Sequence, residues 1–416
     1  GGPVIMKKVF STIALTMLAG VGLAQNSALQ KAQSALQNRD FNSTISILNE
    51  ALQNPKTTKF AEMYNLLADA HTRLMEPELQ KAAQSQPFDT AGYCVNLDKA
   101  IINYTKSYEA DNKADEKGKV KPKFNAINGP RIAAMLDYYN YAALFVNQNG
   151  NRNEAITYFK KFIELPKNPV FTPQQTDSIY KAKKTEYAQA AYNLTILCYG
   201  QNDWDNVLKY ADLALQDETG TRDLYIMKMQ AYLGKQDSAA YLKTLQEAVI
   251  RTETPNFIQN LLYHYIQKDD RAGALAMADK LVNEHQGSKA AYYLRGSVYL
   301  NMKPFNYAKA EEDFGKALII DPNFVEANIG MAYSYMNDVV TQVQNRVIKI
   351  PPTYSKLYKQ VMETKVQPYY RKALPYFEKV RTLLPDEPKR WASPLQQIYN
   401  NLDMTDKSKE MDQYLR

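Results

Sequence analysis

The chain has 416 residues, 45% of them hydrophobic and 23% charged, and carries a formal net charge of +7. Two cysteines exclude a disulfide-built scaffold. Sixteen glycines, with no alternating apolar and polar runs set between turn dipeptides, exclude a sandwich or barrel of strands and leave a helical chain. Two or three compact domains fit this length, and so does an array of repeats, which grows without one central core.

The first 24 residues read as a signal peptide with a short extension. Lys7 and Lys8 follow Met6, residues 9–23 are apolar, and Gly22, Leu23 and Ala24 give small residues before a cut ahead of Gln25. The apolar run is shorter than the roughly 20 residues a spanning helix needs, and no cysteine follows it. The expectation is a soluble, exported, periplasmic protein.

Residues 25–110 predict two helix pairs. The first spans 27–52 with a turn at 38–41; the second has its helices at 60–74 and 96–110, around a polar insertion at 75–95 that contains Pro77 and Pro87. Residues 111–131 form a charged linker, mildly basic in its Lys-rich part. Residues 132–286 predict four pairs. The first runs over 132–148 and 154–165 and is stopped by Pro166, Pro169 and Pro173; the others turn at 202–204, 234–236 and 268–270. Residues 287–416 carry one clear pair at 288–322 and another from 323 to 385, interrupted at 337–366. A last pair at 390–415 caps the array.

The clear pair is the most telling stretch. Gly296 and Tyr299 fall on its first helix, and Ala310, Phe314, Ala317 and Pro322 punctuate its second. Small residues let two helices approach, aromatics fill the groove between them, and the proline ends the second. With those residues in those places the stretch resembles a tetratricopeptide repeat. The resemblance implies an all-α, right-handed superhelical solenoid of about eight such helix pairs with two insertions. It also implies a groove lined by the first helices, where Asn140, Tyr192, Tyr293 and Tyr333 take the partner-binding positions.

Catalytic signatures such as GxxxxGK[ST], GxSxG, HExxH and GxGxxG are absent from the sequence, and His71, His264 and His285 stand far apart in it. No enzyme activity, cofactor or metal is expected. Cys94 and Cys198 read as two separate buried thiols. The insertion carries the most distinctive charge. Between 339 and 372, Arg346, Lys349, Lys356, Lys359, Lys365, Arg371 and Lys372 face one carboxylate, Glu363, a surplus close to that of the whole chain. Tyr354, Tyr358, Tyr369 and Tyr370 are interleaved with them. Arg346, Lys349, Lys356, Lys359 and Lys365 therefore stand as a second partner-binding set, suited to an acidic protein face or another anionic surface. Nucleic acid is not expected, because export would keep the chain away from it.

Three triplets, Asp89-Thr90-Ala91, Asp177-Ser178-Ile179 and Asp237-Ser238-Ala239, resemble an acceptor motif for periplasmic O-glycosylation, in little more than chance number. The function expected is a non-catalytic periplasmic scaffold that joins proteins in an envelope assembly, secretion or uptake complex. A peptide- or glycan-binding protein and an accessory subunit of an envelope enzyme are the alternatives.

Overall fold

The structure, a computed structural model, describes residues 27–416, so the expected signal peptide lies outside the described residues. Every regular element among them is helical, which makes the fold all-α. The chain divides into two compact units, one ending at Gly234 and the other beginning at Lys235.

The first unit contains α1 (Ser27–Gln37), α2 (Phe41–Gln53), α3 (Phe60–Ala83), α4 (Thr90–Asp111), α5 (Asn125–Ala134), α6 (Tyr138–Gln148), α7 (Arg152–Glu164), α8 (Pro173–Ala182), α9 (Lys184–Gly200), α10 (Trp204–Ala214) and α11 (Thr221–Gly234). The second contains α12 (Ser238–Thr252), α13 (Pro255–Gln267), α14 (Arg271–Glu284), α15 (Lys289–Asn301), α16 (Tyr307–Ile320), α17 (Val325–Gln344), α18 (Lys356–Val361), α19 (Gln367–Leu383), α20 (Ala392–Asn401) and α21 (Thr405–Met411). Within each unit consecutive helices pack as hairpins: α1 on α2, α3 on α4, α6 on α7 and α9 on α10, then α13 on α14, α15 on α16 and α17 on α19. The predicted fifth pair is divided, its first helix falling in one unit and its second in the other.

A local device recurs at the starts of several helices. Arg39, Asn202, Gln236 and Asp269 each adopt a positive φ, between 50° and 62°. Each is followed by an aspartate, Asp40, Asp203, Asp237 or Asp270, whose carboxylate accepts a backbone N–H from the first turn of the next helix. One left-handed residue ends the preceding run of backbone, and the aspartate then satisfies a helix start, a cap typically contributing about 1 kcal/mol. The same chemistry accounts for two of the three Asp-Ser/Thr triplets: Asp89 caps α4 through the Gly92 N–H at 2.9 Å, and Asp237 caps α12 through the Ala240 N–H at 3.0 Å. The third triplet lies inside α8.

Three boundaries differ from expectation. Residues 75–95, expected as a polar insertion between the two helices, mostly lengthen α3 and α4, and Leu79 and Tyr93 are buried. The helix expected over 132–148 breaks at 135–137, where Met135 and Leu136 turn inward, and α5 begins inside the stretch read as a linker. Residues 112–124 do remain a loop, closed at its base where Asp111 accepts the N–H groups of Lys123 and Phe124 at 2.7 and 2.6 Å. Pro173 starts a helix rather than stopping one: it occupies the first turn of α8, behind a capping box of Thr172 and Gln175.

The seventh hairpin, α15 on α16, shows why its residue types are required. Phe314 is fully buried and wedged between two glycines. A Cβ on Gly296 would meet the Phe314 ring at 3.0 Å, and one on Gly330 of α17 would meet it at 2.6 Å. Arg295 donates to both oxygens of the buried Asp313, at 2.9 and 2.8 Å, tying α15 to α16. The guanidinium is held charged above its ordinary range by that carboxylate.

Candidate partner-binding surface

The insertion in the eighth hairpin is an ordered element. α17 runs on to Gln344, the chain crosses 345–355 without regular structure, and it returns through α18 and a turn of π-helix, Met362–Val366, into α19. Two apolar side chains root it: Ile348 and Val366 are buried in the cluster formed with Met336, Val339, Tyr370 and Phe377. The N–H groups of Val347 and Ile348 both donate to the Gln342 carbonyl, at 2.9 and 3.0 Å. The Gln342 amide in turn donates to Tyr369 Oη at 2.8 Å, joining α17 to α19. Ser355 caps α18 through the Leu357 N–H.

What this element shows to solvent is unusual in two respects. Arg346, Lys349, Lys356, Lys359 and Lys365 are all exposed. Among the described residues the one carboxylate in ion-pair range of any of them is Glu363, 3.8 Å from Lys359, and both partners of that pair are mostly exposed. Such a contact is strongly screened by water and salt. Beside these cations stand Val347, Ile350, Tyr354 and Leu357, exposed by 72, 40, 90 and 57%. Arg371 and Lys372 are held back against the helices: Arg371 donates to Gln367 and to the Glu363 carbonyl, and Lys372 lies over the Tyr335 ring. Of the four tyrosines in the run, Tyr370 is buried in the core and Tyr358 and Tyr369 are half-buried, which leaves Tyr354 as the fully offered ring. The apolar members Val347, Ile350 and Leu357 were not singled out by sequence, because their exposure depends on which way Ile348 and Val366 turn.

The four positions predicted for the groove sit on first helices of hairpins. Asn140 is half-buried on α6. On α9 the Tyr192 hydroxyl lies 3.4 Å from Asp223, and its ring lies against Gly220, where a Cβ would clash at 2.3 Å. Tyr293 packs on Phe314 and Phe324 with ring centroids 5.6 and 5.2 Å apart, and burial pushes its phenol up to about 12. Tyr333 meets Phe377 edge to face at 5.3 Å. These three rings are committed to packing within their own units.

Beside Tyr293 the second unit has an open cleft of about 340 Å³, lined by Glu253, Pro255, Lys289, Phe324, Glu326 and Arg390 among others. Its charges are satisfied internally. Lys289 pairs with Asp321 at 2.7 Å and Arg390 with Glu326 at 2.7 Å, while Glu253 accepts the Ala290 N–H at 2.9 Å. In the first unit, Asp69 accepts from the Tyr104 hydroxyl, and burial raises the carboxyls of both Asp69 and Glu76 despite Arg73 and Arg131 nearby. His71 is buried there, hydrogen-bonded to Asn96 at 2.9 Å, and burial lowers its pKa. Cys94 and Cys198 are free, buried thiols, each pushed up to about 11 by burial. Among the described residues no group of three or more His, Cys, Asp and Glu is placed to hold a metal ion.

Hairpins of this kind, many capped at the turn by Asp or Asn and packed through small residues and aromatics, define an all-helical repeat protein. Two of the hairpins, α6–α7 over residues 138–169 and α15–α16 over residues 290–324, match the tetratricopeptide repeat. No curated protein matches the chain. Among solved structures it is similar to the C-terminal part of a TPR repeat-containing protein from Cytophaga hutchinsonii, at 18% identity over 66% of this chain and 92% of that one, with a TM-score of 0.34. It is also similar to yeast Tom70, at 12% identity over 91% and 89% with a TM-score of 0.34. A tetratricopeptide repeat protein from Parabacteroides merdae matches at 15% over 75% and 99%, with a TM-score of 0.22.

Proposed function

We propose that the chain is a non-catalytic scaffold that holds a protein partner along the first helices of its repeats and makes a second, anionic contact through the insertion at 337–366. The observation that carries this reading is the insertion itself: an ordered element, rooted by Ile348 and Val366, that presents five exposed cations with one screened carboxylate among them. The matched tetratricopeptide hairpins support the protein-binding half, because stacked repeats offer continuous faces to a partner. The leader-like pattern at Lys7, Lys8 and residues 9–23 supports export to a periplasm and a place in an envelope complex. A small-ligand carrier would use the cleft at Lys289 and Arg390, but that cleft is open and its charges are already paired.

The test is an affinity pull-down from cross-linked cell envelopes, comparing the full chain with a variant in which Arg346, Lys349, Lys356, Lys359 and Lys365 are changed to Gln. One enriched envelope protein, reduced in the variant, supports the scaffold. Retention of nothing above background by either form overturns it.

A further inference from the structure

We propose that the insertion docks on an anionic lipid bilayer, which makes the scaffold a peripheral membrane protein. The inference rests on the reading of the insertion as a contact surface and names the anionic partner. Between Asp338 and Glu363 the chain has no carboxylate, so Glu363, beside Lys359, is the one group on this element that opposes a negatively charged surface. Arg346, Lys349, Lys356 and Lys359 fall in that stretch and Lys365 just beyond it, all exposed. Cations near an anionic leaflet are each attracted appreciably, and together they set the salt dependence of binding.

Charge alone would suit an acidic protein equally well; the apolar side chains favour lipid. Val347, Ile350, Tyr354 and Leu357 stand out from the surface among the cations, with Tyr354 exposed by 90%. A protein partner would need pockets shaped to four projecting side chains, whereas the headgroup region of a bilayer deforms around them. Apolar groups flanked by Lys and Arg, with a tyrosine at the polar boundary, are what interfacial segments use to sit at that depth. The buried Ile348 and Val366 hold the element in shape before it binds, so little ordering remains to oppose docking.

The experiment is co-sedimentation of the full chain with phosphatidylcholine vesicles, and with vesicles of phosphatidylcholine and phosphatidylglycerol in equal parts, at low and high salt. The expected result is binding to the anionic vesicles at least about tenfold tighter than to the neutral ones, weakened by salt. Replacing the five cations by Gln should lower it by on the order of a hundredfold, with an unchanged melting profile. A Tyr354→Trp variant should show a blue-shifted emission change on anionic vesicles that the wild-type pair, Trp204 and Trp391, does not show. Equal binding to both vesicle types, or binding to neither, overturns the proposal. Binding to soluble polyglutamate but not to vesicles also overturns it, and assigns the insertion to an acidic protein face, leaving the scaffold reading intact. Vesicle binding combined with an empty envelope pull-down would keep the lipid contact and sink the scaffold.

Discussion

The seventh hairpin and the insertion of the eighth lie in the same unit and treat charge in opposite ways. In the seventh, Arg295 is locked to Asp313 and reaches Asp279 at 3.2 Å, Lys289 pairs with Asp321, and Lys316 with Glu312. These cations are tied to carboxylates within or beside the hairpin. In the insertion, five cations project with one distant carboxylate among them, while the element's internal order comes from Ile348, Val366 and the hydrogen bonds of Gln342. The difference teaches where to look for function in a repeat protein: charge satisfied within the hairpins holds the array, and charge left over is available to a partner.

The sharpest way to break that contrast is at Phe314. Phe314→Ala empties a fully buried site and should cost about 3–5 kcal/mol in chemical denaturation, without altering envelope retention under conditions where the variant is folded. Gly330→Ala comes next. The new methyl gains about 1 kcal/mol of helix propensity but collides with a ring that has no free space, an overpacking cost of about 1–3 kcal/mol. A net loss in the urea midpoint is expected; a gain would show that Phe314 is not wedged. Replacing the five insertion cations by Gln should change stability by no more than about 0.5 kcal/mol per site while removing most envelope binding, a separation that thermal melts and pull-downs measure together. Substituting Asp313 instead should do the reverse, because the half-buried Arg295 guanidinium would lose its two bonds to that buried carboxylate and keep only the contact with Asp279.

The smallest effect is a pH dependence in the first unit. Burial disfavours the imidazolium of His71, so its folded pKa lies below the ordinary 6.5 and the unfolded chain takes up the proton first. Stability due to this group is therefore constant above 6.5 and falls as pH drops below it. His71→Gln should flatten the difference between melts taken on either side of that value; an unchanged slope would place the titration elsewhere.

Much of the fold was legible because its signals are local. The turns read at 38–41, 202–204, 234–236 and 268–270 each contain or directly precede an aspartate that caps the next helix, and Gly296 with Phe314 marks the closest packing. Other features depend on distant partners. Gly330 reads as an ordinary helix residue until Phe314 is seen beside it. The break at 135–137 carries only a weak signal: Met135 and Leu136 are apolar and turn inward, and Asp137 stands before α6 without capping it, paired instead with the distant Lys183. Pro173 serves equally well to stop a helix and to begin one. For the candidate surface, the basic run was visible in the sequence, but the separation of Tyr354 outside from Tyr370 inside was not. Nor was the committed packing of Tyr293 and Tyr333, which repeat position alone does not reveal.

The most direct test of the insertion as the contact surface is site-specific photo-crosslinking in intact cell envelopes, from position 354 on the insertion and from position 263 on α13, where Tyr263 is also well exposed. The account predicts adducts, to lipid or protein, from position 354 and none above background from position 263. Equal labelling from both positions, or labelling from position 263 alone, would contradict it.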